Sequence, residues 1–281
     1  MNIRKAVITA AGTRQRSLPL QTLVDRDGEA KSALRIILEE ILSTGVEEIG
    51  VVIAPGDAPA YAEAAGSHSG RLTFIEQAAP RGYGHALLEA RAFVDDKPFL
   101  HLVSDHLYVS AGTRGCARQL VETASEQACA VSAVEPTREG SIGLYGTIGA
   151  QPVAGATTLY EIESVREKPT PTLAEQELVV PGMRIGHYLC FFGMHVLTPT
   201  IMELLAAELA AAGPDQTIQL SPALDRLAAC ERYLALRIEG HRYNIGLKYG
   251  LFLAQFALAL RGDDRETVLA ELVELLATRP V

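Results

Sequence analysis

Three things are scarce in this sequence, and each scarcity excludes something. Cysteine is sparse and scattered: Cys116, Cys129, Cys190 and Cys230 form no C-x-x-C pair and have no histidine at metal-ligand spacing. That excludes a disulfide framework and a zinc site, and reduced thiols are expected. Positive charge is outweighed, with a net charge of −9 and a pI near 5.3. Such a chain repels polyanions, so no nucleic acid and no acidic membrane surface is expected as a partner, and any phosphate site must be local. Long apolar runs are missing as well. The first residues carry no signal-type segment, and Leu251 to Leu260 is too short to span a bilayer, so the expectation is a soluble, cytoplasmic protein. No G-x-G-x-x-G follows the first apolar run, which argues against a dehydrogenase.

What is present begins with Ile3 to Leu23. Ala6-Val7-Ile8 suits a strand buried on both faces, and it breaks at Ala10-Ala11-Gly12 into a loop with Arg14 and Arg16. Small residues let backbone N–H groups approach an anion, and guanidinium groups supply bidentate charge, so the stretch is a candidate phosphate site. The same residues also suit an ordinary first turn with solvated arginines. The length of 281 residues and 48% hydrophobic content allow one large domain or two small ones.

Periodicity predicts a turn at Asp27-Gly28, a helix over Ser32 to Ser43 ending near Gly45, and a strand within Val46 to Ile53. Strand, helix, strand is the unit that builds a parallel sheet. Pro55 to Ser69 reads as loop plus a small-residue helix, and strands are predicted at Leu72 to Glu76 and Phe99 to Val103. The loop Pro80 to Ala86 carries Gly82 and Gly84 just before a helical run, a second place for close backbone approach. Asp105 follows the apolar strand FLHLV, at the strand end where open α/β sheets keep ligands. His101 and His106 are weaker candidates, because strand histidines are usually packed or solvated.

Further on, helices are predicted at Ala111 to Thr123, Pro199 to Ala212, Ile218 to Ala229, Lys248 to Arg261 and Arg265 to Ala277. Strands are predicted at Cys129 to Val134, Leu159 to Arg166, Tyr188 to Leu197 and Leu234 to Ile238. Thr170 to Gly182 reads as a loop or lid. The reading is a single domain over 1–281, with a candidate sugar-binding subdomain over 135–215 and a helical tail over 247–281.

Taken in order, KAVITAAGTR, ILEEILSTGVEEIGVV, QAAPRGYGHALLEAR, SDHLY, LYGTI, VREKPTP, FFGMHVLTPTI, TIQLSPALDRL and IEGHRYNIGLKYG resemble the sugar-1-phosphate nucleotidyltransferases, most closely their bacterial UTP glucose-1-phosphate uridylyltransferase group. The resemblance covers nearly the whole chain. It implies a Rossmann-like mixed, mostly parallel sheet flanked by helices, which binds a nucleoside triphosphate, Mg²⁺ and a sugar 1-phosphate. The sugar phosphate attacks the α-phosphorus in line and pyrophosphate leaves, chemistry that rests on positioning and positive charge. Carried over by position, Ala10, Ala11 and Gly12 approach the base and ribose, and Arg14 lies along the β and γ phosphates. Gln77, Gly82 and Gly84 read the uracil edge. Asp105 holds Mg²⁺, with Asn244 as a second oxygen ligand. Gly146 and Glu167 bond sugar hydroxyls, and Lys168 neutralises the sugar phosphate.

The departures fall at the chemistry. The glycine-rich loop is two residues short, Leu20 stands where the family has a lysine, and Asn244 stands where it has an aspartate. Two readings follow: an active transferase in which Arg16 or Lys31 compensates, or a catalytically weak or silent relative that binds a nucleotide sugar as a regulatory or partner subunit. The apolar C-terminal helices either close the core or join protomers, and a homo-oligomer is expected.

Overall fold

The computed structural model describes residues 1–278. The chain starts with β1 (Lys5–Thr9), passes through a hairpin of β2 (Thr22–Val24) and β3 (Ala30–Ser32), and enters α1 (Ala33–Leu42). The Ser32 hydroxyl accepts the Arg35 N–H at 3.0 Å and caps α1. Next come β4 (Glu48–Ile53), α2 (Ala58–Ala65), β5 (Leu72–Glu76), α3 (Tyr83–Glu89) and α4 (Arg91–Val94). The middle of the chain holds β6 (Phe99–Val103), β7 (His106–Ser110), α5 (Cys116–Gln127), β8 (Ala130–Arg138) and β9 (Gly146–Pro152). After β10 (Leu159–Glu167), α6 (Pro171–Glu177) and β11 (His187–Leu197) come α7 (Thr200–Ala211) and α8 (Leu220–Cys230). The chain closes with β12 (Tyr233–Arg237), β13 (Gly240–Asn244), α9 (Gly250–Ala259) and α10 (Arg265–Ala277).

One nine-stranded sheet, ordered β5-β4-β1-β6-β11-β8-β12-β10-β9, runs through the molecule. Seven strands share one direction and β10 and β11 oppose them, which is the expected mostly parallel mixed sheet. Strand β1 shows why its apolar run is unbroken: Ala6 and Ile8 face a core with α1, α2 and α5, while Val7 faces a second core with α3, α7 and α8. Residues 135–215 supply β9, β10 and β11 to this same sheet. Its direction changes between β6 and β11. Where parallel strands stop beside an antiparallel one, their carboxyl ends open onto a crevice.

Two expectations are corrected, and one strand appears where none was predicted. The segment predicted as helix over Ala111 to Thr123 becomes helical only at Cys116. Gly112 and Gly115 disfavour an earlier start, and the buried Glu40 carboxylate of α1 accepts the Ala117 N–H at 2.7 Å. Residues after Asp105 form β7, paired with β13 in a ladder whose partners lie 130 or more positions apart. Thr170 to Gly182 is not a bare lid: Thr170 Oγ1 accepts the Leu173 N–H at 3.3 Å and Pro171 starts α6. No helix among the described residues is long and apolar enough to cross a membrane.

Lys31 does not compensate for the residue missing at position 20. It is buried, and its Nζ donates to Asp25 (2.8 Å), Asp27 (2.6 Å) and Glu39 (2.7 Å). Burial works against its charge, yet the three carboxylates raise its pKa above the ordinary lysine range. Among the described residues, Asp25, Asp27 and Glu39 are the one trio of acidic groups close enough to share a cation, and the lysine ammonium is that cation. Arg16 is spoken for as well, 3.6 Å from Asp57. Leu20 packs against the larger core.

Candidate active site

A cavity of about 460 Å³ opens where β1 and β6 end. Of the residues singled out in the sequence, Ala11, Gly12, Gln77, Gly82, Asp105, Gly146, Glu167, Lys168 and Asn244 line it. Arg14, Ala10 and Gly84 are not in its wall. Arg14 sits exposed in the shortened loop. Ala10 is buried with its N–H on Val52 O at 2.7 Å. Gly84 serves packing, since a Cβ there would meet Gln219 O at 2.7 Å, where α3 touches the start of α8.

Asp105 ends the parallel run, buried and doubly held. Its Oδ1 lies 2.8 Å from His106 Nδ1, and its Oδ2 accepts from Gln15 Nε2 at 2.6 Å. Burial favours the protonated acid, but His106 and, further off, Lys168 outweigh it and keep the carboxyl below the ordinary aspartate range. Asn244 faces His106 across the β7–β13 ladder, and the next residue, Ile245, donates its N–H to Asp105 O at 2.9 Å. Asn244 Oδ1 accepts from Gly246 N–H at 2.9 Å and keeps a second lone pair. A buried carboxylate held ionised and an amide oxygen in the wall of the same cavity are hard-oxygen donors, a chemistry that fits a Mg²⁺-type ion completing its shell from phosphates and water.

Elsewhere in the wall Glu167 Oε2 accepts from Ser221 Oγ at 2.5 Å, and Glu167 Oε1 lies 3.6 Å from Lys168 Nζ. Lys168 occupies the left-handed region at φ +45° and donates its N–H to Tyr145 O at 3.1 Å. A non-glycine residue there costs about 1–2 kcal/mol, and the turn that bears this cost places Lys168 in the cavity wall.

The third wall is Gln77, whose Nε2 donates to Gly82 O at 3.2 Å and meets His85 Nδ1 at 2.9 Å. With both amide hydrogens engaged, its carbonyl oxygen is the group left for a ligand. Gly82 sits at φ +104°, and a Cβ would lie 2.5 Å from Ile218 O. Gly82→Ala is therefore expected to cost about 2 kcal/mol and to weaken nucleotide binding. Thermal unfolding and nucleotide titration check this, and an unchanged midpoint would show that the loop re-forms freely.

Sequence reasoning missed Gln15, Tyr83, Tyr145, Phe191, Gly193, His195 and Ser221, all of which line the cavity. Beneath it lies a fully enclosed imidazole, His101. His101 Nδ1 lies 3.0 Å from Val7 O, and a carbonyl only accepts, so Nδ1 carries the proton and Nε2 accepts from Tyr83 O–H at 2.7 Å. Burial lowers the His101 pKa to about 4. Between that value and the unfolded value of about 6.5 the unfolded chain binds more protons, so stability is complete at neutral pH and falls as pH drops through the window. The loss from this group is on the order of 3 kcal/mol at about 1.4 kcal/mol per pKa unit. Denaturant unfolding from pH 7 to pH 4 is expected to show a steeper decline than in His101→Gln.

Sheet and crevice together are those of a nucleotidyltransferase-type α/β fold. The sequence profile described as Nucleotidyl transferase matches residues 5–227, and this chain belongs to that family. It is 31% identical over 301 residues to a UTP–glucose-1-phosphate uridylyltransferase of Streptococcus pneumoniae, covering 96% of each chain. It is 30% identical over 285 residues to one of Streptococcus pyogenes, covering 92% of this chain and 89% of that one. Among solved structures, a UDP-glucose pyrophosphorylase complexed with UDP-glucose superimposes with a TM-score of 0.73 at 23% identity, over 91% of this chain and 98% of that one. A UTP-bound UGPase from Acinetobacter baumannii superimposes at 0.75 with 20% identity, over 97% and 99%.

Proposed function

We propose that this chain transfers a uridylyl group from UTP to glucose 1-phosphate, releasing pyrophosphate and forming UDP-glucose. The observation that carries the reading is that Gln77 and Gly82, Asp105 and Asn244, and Glu167 and Lys168 share one cavity. Its volume of about 460 Å³ falls in the range of small-molecule sites. Those three pairs are what the two substrates require. The Gln77 carbonyl oxygen accepts from the uracil N3–H, and Gly82 leaves room for the base edge. Glu167, fixed by Ser221, accepts from a sugar hydroxyl, and Gly146 lets the sugar approach the backbone. Lys168 neutralises the sugar phosphate and aims its oxygen at the α-phosphorus.

Asp105 and Asn244 are the residues that would hold Mg²⁺, which when bound would supply charge neutralisation to the triphosphate. The chain itself contributes orientation and a dry, charged wall, which is most of what in-line phosphoryl chemistry needs. Leu20 brings no cation to the pyrophosphate end. If the family's lysine there is worth a few kcal/mol, turnover is lower by roughly a hundredfold, at about tenfold per 1.4 kcal/mol. Residues 135–215 form the sugar half of the site in this reading. The protein is a homo-oligomer joined through the exposed Phe252, Leu253, Val273, Leu275 and Leu276 of α9 and α10.

The test is pyrophosphate release with Mg²⁺, each NTP in turn and a panel of sugar 1-phosphates. Release with UTP and glucose 1-phosphate is expected. Binding of a UDP-sugar without release from any pair would sink the transferase reading.

A further inference from the structure

The residues His195, Ser132 and Tyr233 lie far apart in sequence and meet in the sheet. All three are buried. Ser132 Oγ lies 2.5 Å from His195 Nδ1 and also contacts Tyr233 Oη. A buried hydroxyl hydrogen needs an acceptor, and Tyr233 has Ser132 Oγ as its hydrogen-bond partner among the described residues. Tyr233 therefore donates to Ser132, which leaves the Ser132 hydrogen to go to His195 Nδ1. A ring nitrogen that accepts carries no proton, so the proton of the neutral imidazole is on Nε2.

That Nε2 has no hydrogen-bond partner among the described residues. The unpartnered polar side-chain atoms sealed from solvent belong to Asp25, Asp57, Arg81 and Arg242. His195 Nε2 is not one of them, so it reaches open space, and the space its ring lines is the cavity. Its place within the cavity follows from Phe191. The Phe191 ring stands edge-on to His195 at 5.0 Å between centroids. Phe191 also backs onto Gly146, whose missing Cβ would lie 2.8 Å from Phe191 Cδ2 and 3.4 Å from Glu167 Oε2. Phe191 thus links His195 to the stretch of wall that carries Gly146 and Glu167. Burial and the stacked His101 hold its pKa well below the ordinary histidine range, so the ring stays neutral.

We infer that His195, locked as its Nε2–H tautomer by Tyr233 and Ser132, donates a hydrogen bond to a hydroxyl oxygen of the sugar and helps select which sugar 1-phosphate is used. This rests on the transferase reading above. A neutral donor in a water-poor wall suits a neutral oxygen, and it rejects an analogue lacking that oxygen because the N–H is then left unpaired.

Two experiments decide it. The first uses the intact chain with glucose 1-phosphate and its 2-, 3-, 4- and 6-deoxy analogues, comparing wild type with His195→Phe. Expected are a roughly tenfold rise in KM for glucose 1-phosphate in the variant and an unchanged KM for UTP, with one deoxy analogue losing that factor in wild type but not in the variant. A rise in both KM values, or equal losses with every analogue, overturns the inference. The second is long-range ¹H–¹⁵N correlation of the imidazoles, where His195 is expected as Nε2–H in wild type and as a tautomer mixture in Ser132→Ala. An Nδ1–H signal in wild type overturns it. If no sugar 1-phosphate supports turnover, the transferase reading fails separately. Calorimetric titration of glucose 1-phosphate into wild type and His195→Phe then judges the donor alone, and equal affinity overturns it.

Discussion

Asp105→Asn is expected to lower kcat for pyrophosphate release by about 10³-fold or more, with KM for glucose 1-phosphate within a factor of about three. At about 1.4 kcal/mol per decade this is about 4 kcal/mol of transition-state stabilisation. The substitution keeps the shape of a residue that is 6% exposed. Gln15, which now donates Nε2 to Oδ2 at 2.6 Å, can turn its amide to offer oxygen to the new Asn amide, so the unfolding midpoint moves little. What disappears is the negative charge that His106 and Lys168 keep ionised against burial. Steady-state kinetics at saturating Mg²⁺ checks the result, and a kcat within tenfold of wild type would show that the reaction does not depend on this carboxylate.

The second large effect is on stability. Lys31→Met leaves Asp25, Asp27 and Glu39 facing one another without the ammonium they share, three of their oxygens within hydrogen-bond reach of where it was. Asp25 is buried. Removing one partner from such a group costs on the order of 4 kcal/mol, a drop of roughly 10 °C in the unfolding midpoint for a chain of this size. The pH dependence has a definite sign. Lys31 depresses the Asp27 pKa, so that pairing contributes above the unfolded aspartate value and is lost as pH falls through the lower folded value. The gap between wild type and variant should therefore narrow below about pH 4. Lys31→Met combined with Asp25→Asn should recover part of the loss. A constant gap down to pH 3 would mean that the loss comes from packing.

Much of the fold is legible because local periodicity and burial agree. The run at Ala6 to Ile8 alternates between two cores, and Ser32 to Ser43 presents one apolar face to a single core, so each pattern has one solution. The β7–β13 ladder was not legible, because His106 and Asn244 become neighbours only after everything between them has folded. The start of α5 depends on Glu40, which lies in another helix. In the cavity, glycines and charged residues in loops announce themselves, since they have no better reason to be there. Tyr83, Phe191 and His195 read as core because they are mostly core; one edge of each completes the wall. Arg14 is exposed and outside the cavity wall, and no local pattern in the sequence records which way its loop points.

The tail helices reach the reaction centre without a side chain. Gly250, the first residue of α9, sits so close to Asn244 that a Cβ would fall 1.8 Å from the Asn244 carbonyl oxygen. Position 250 is closed to every other amino acid unless the helix backs away, and backing away drags on the segment that carries Asn244. Whatever grips α9 from outside therefore has a mechanical handle on the Asn244 side of the crevice.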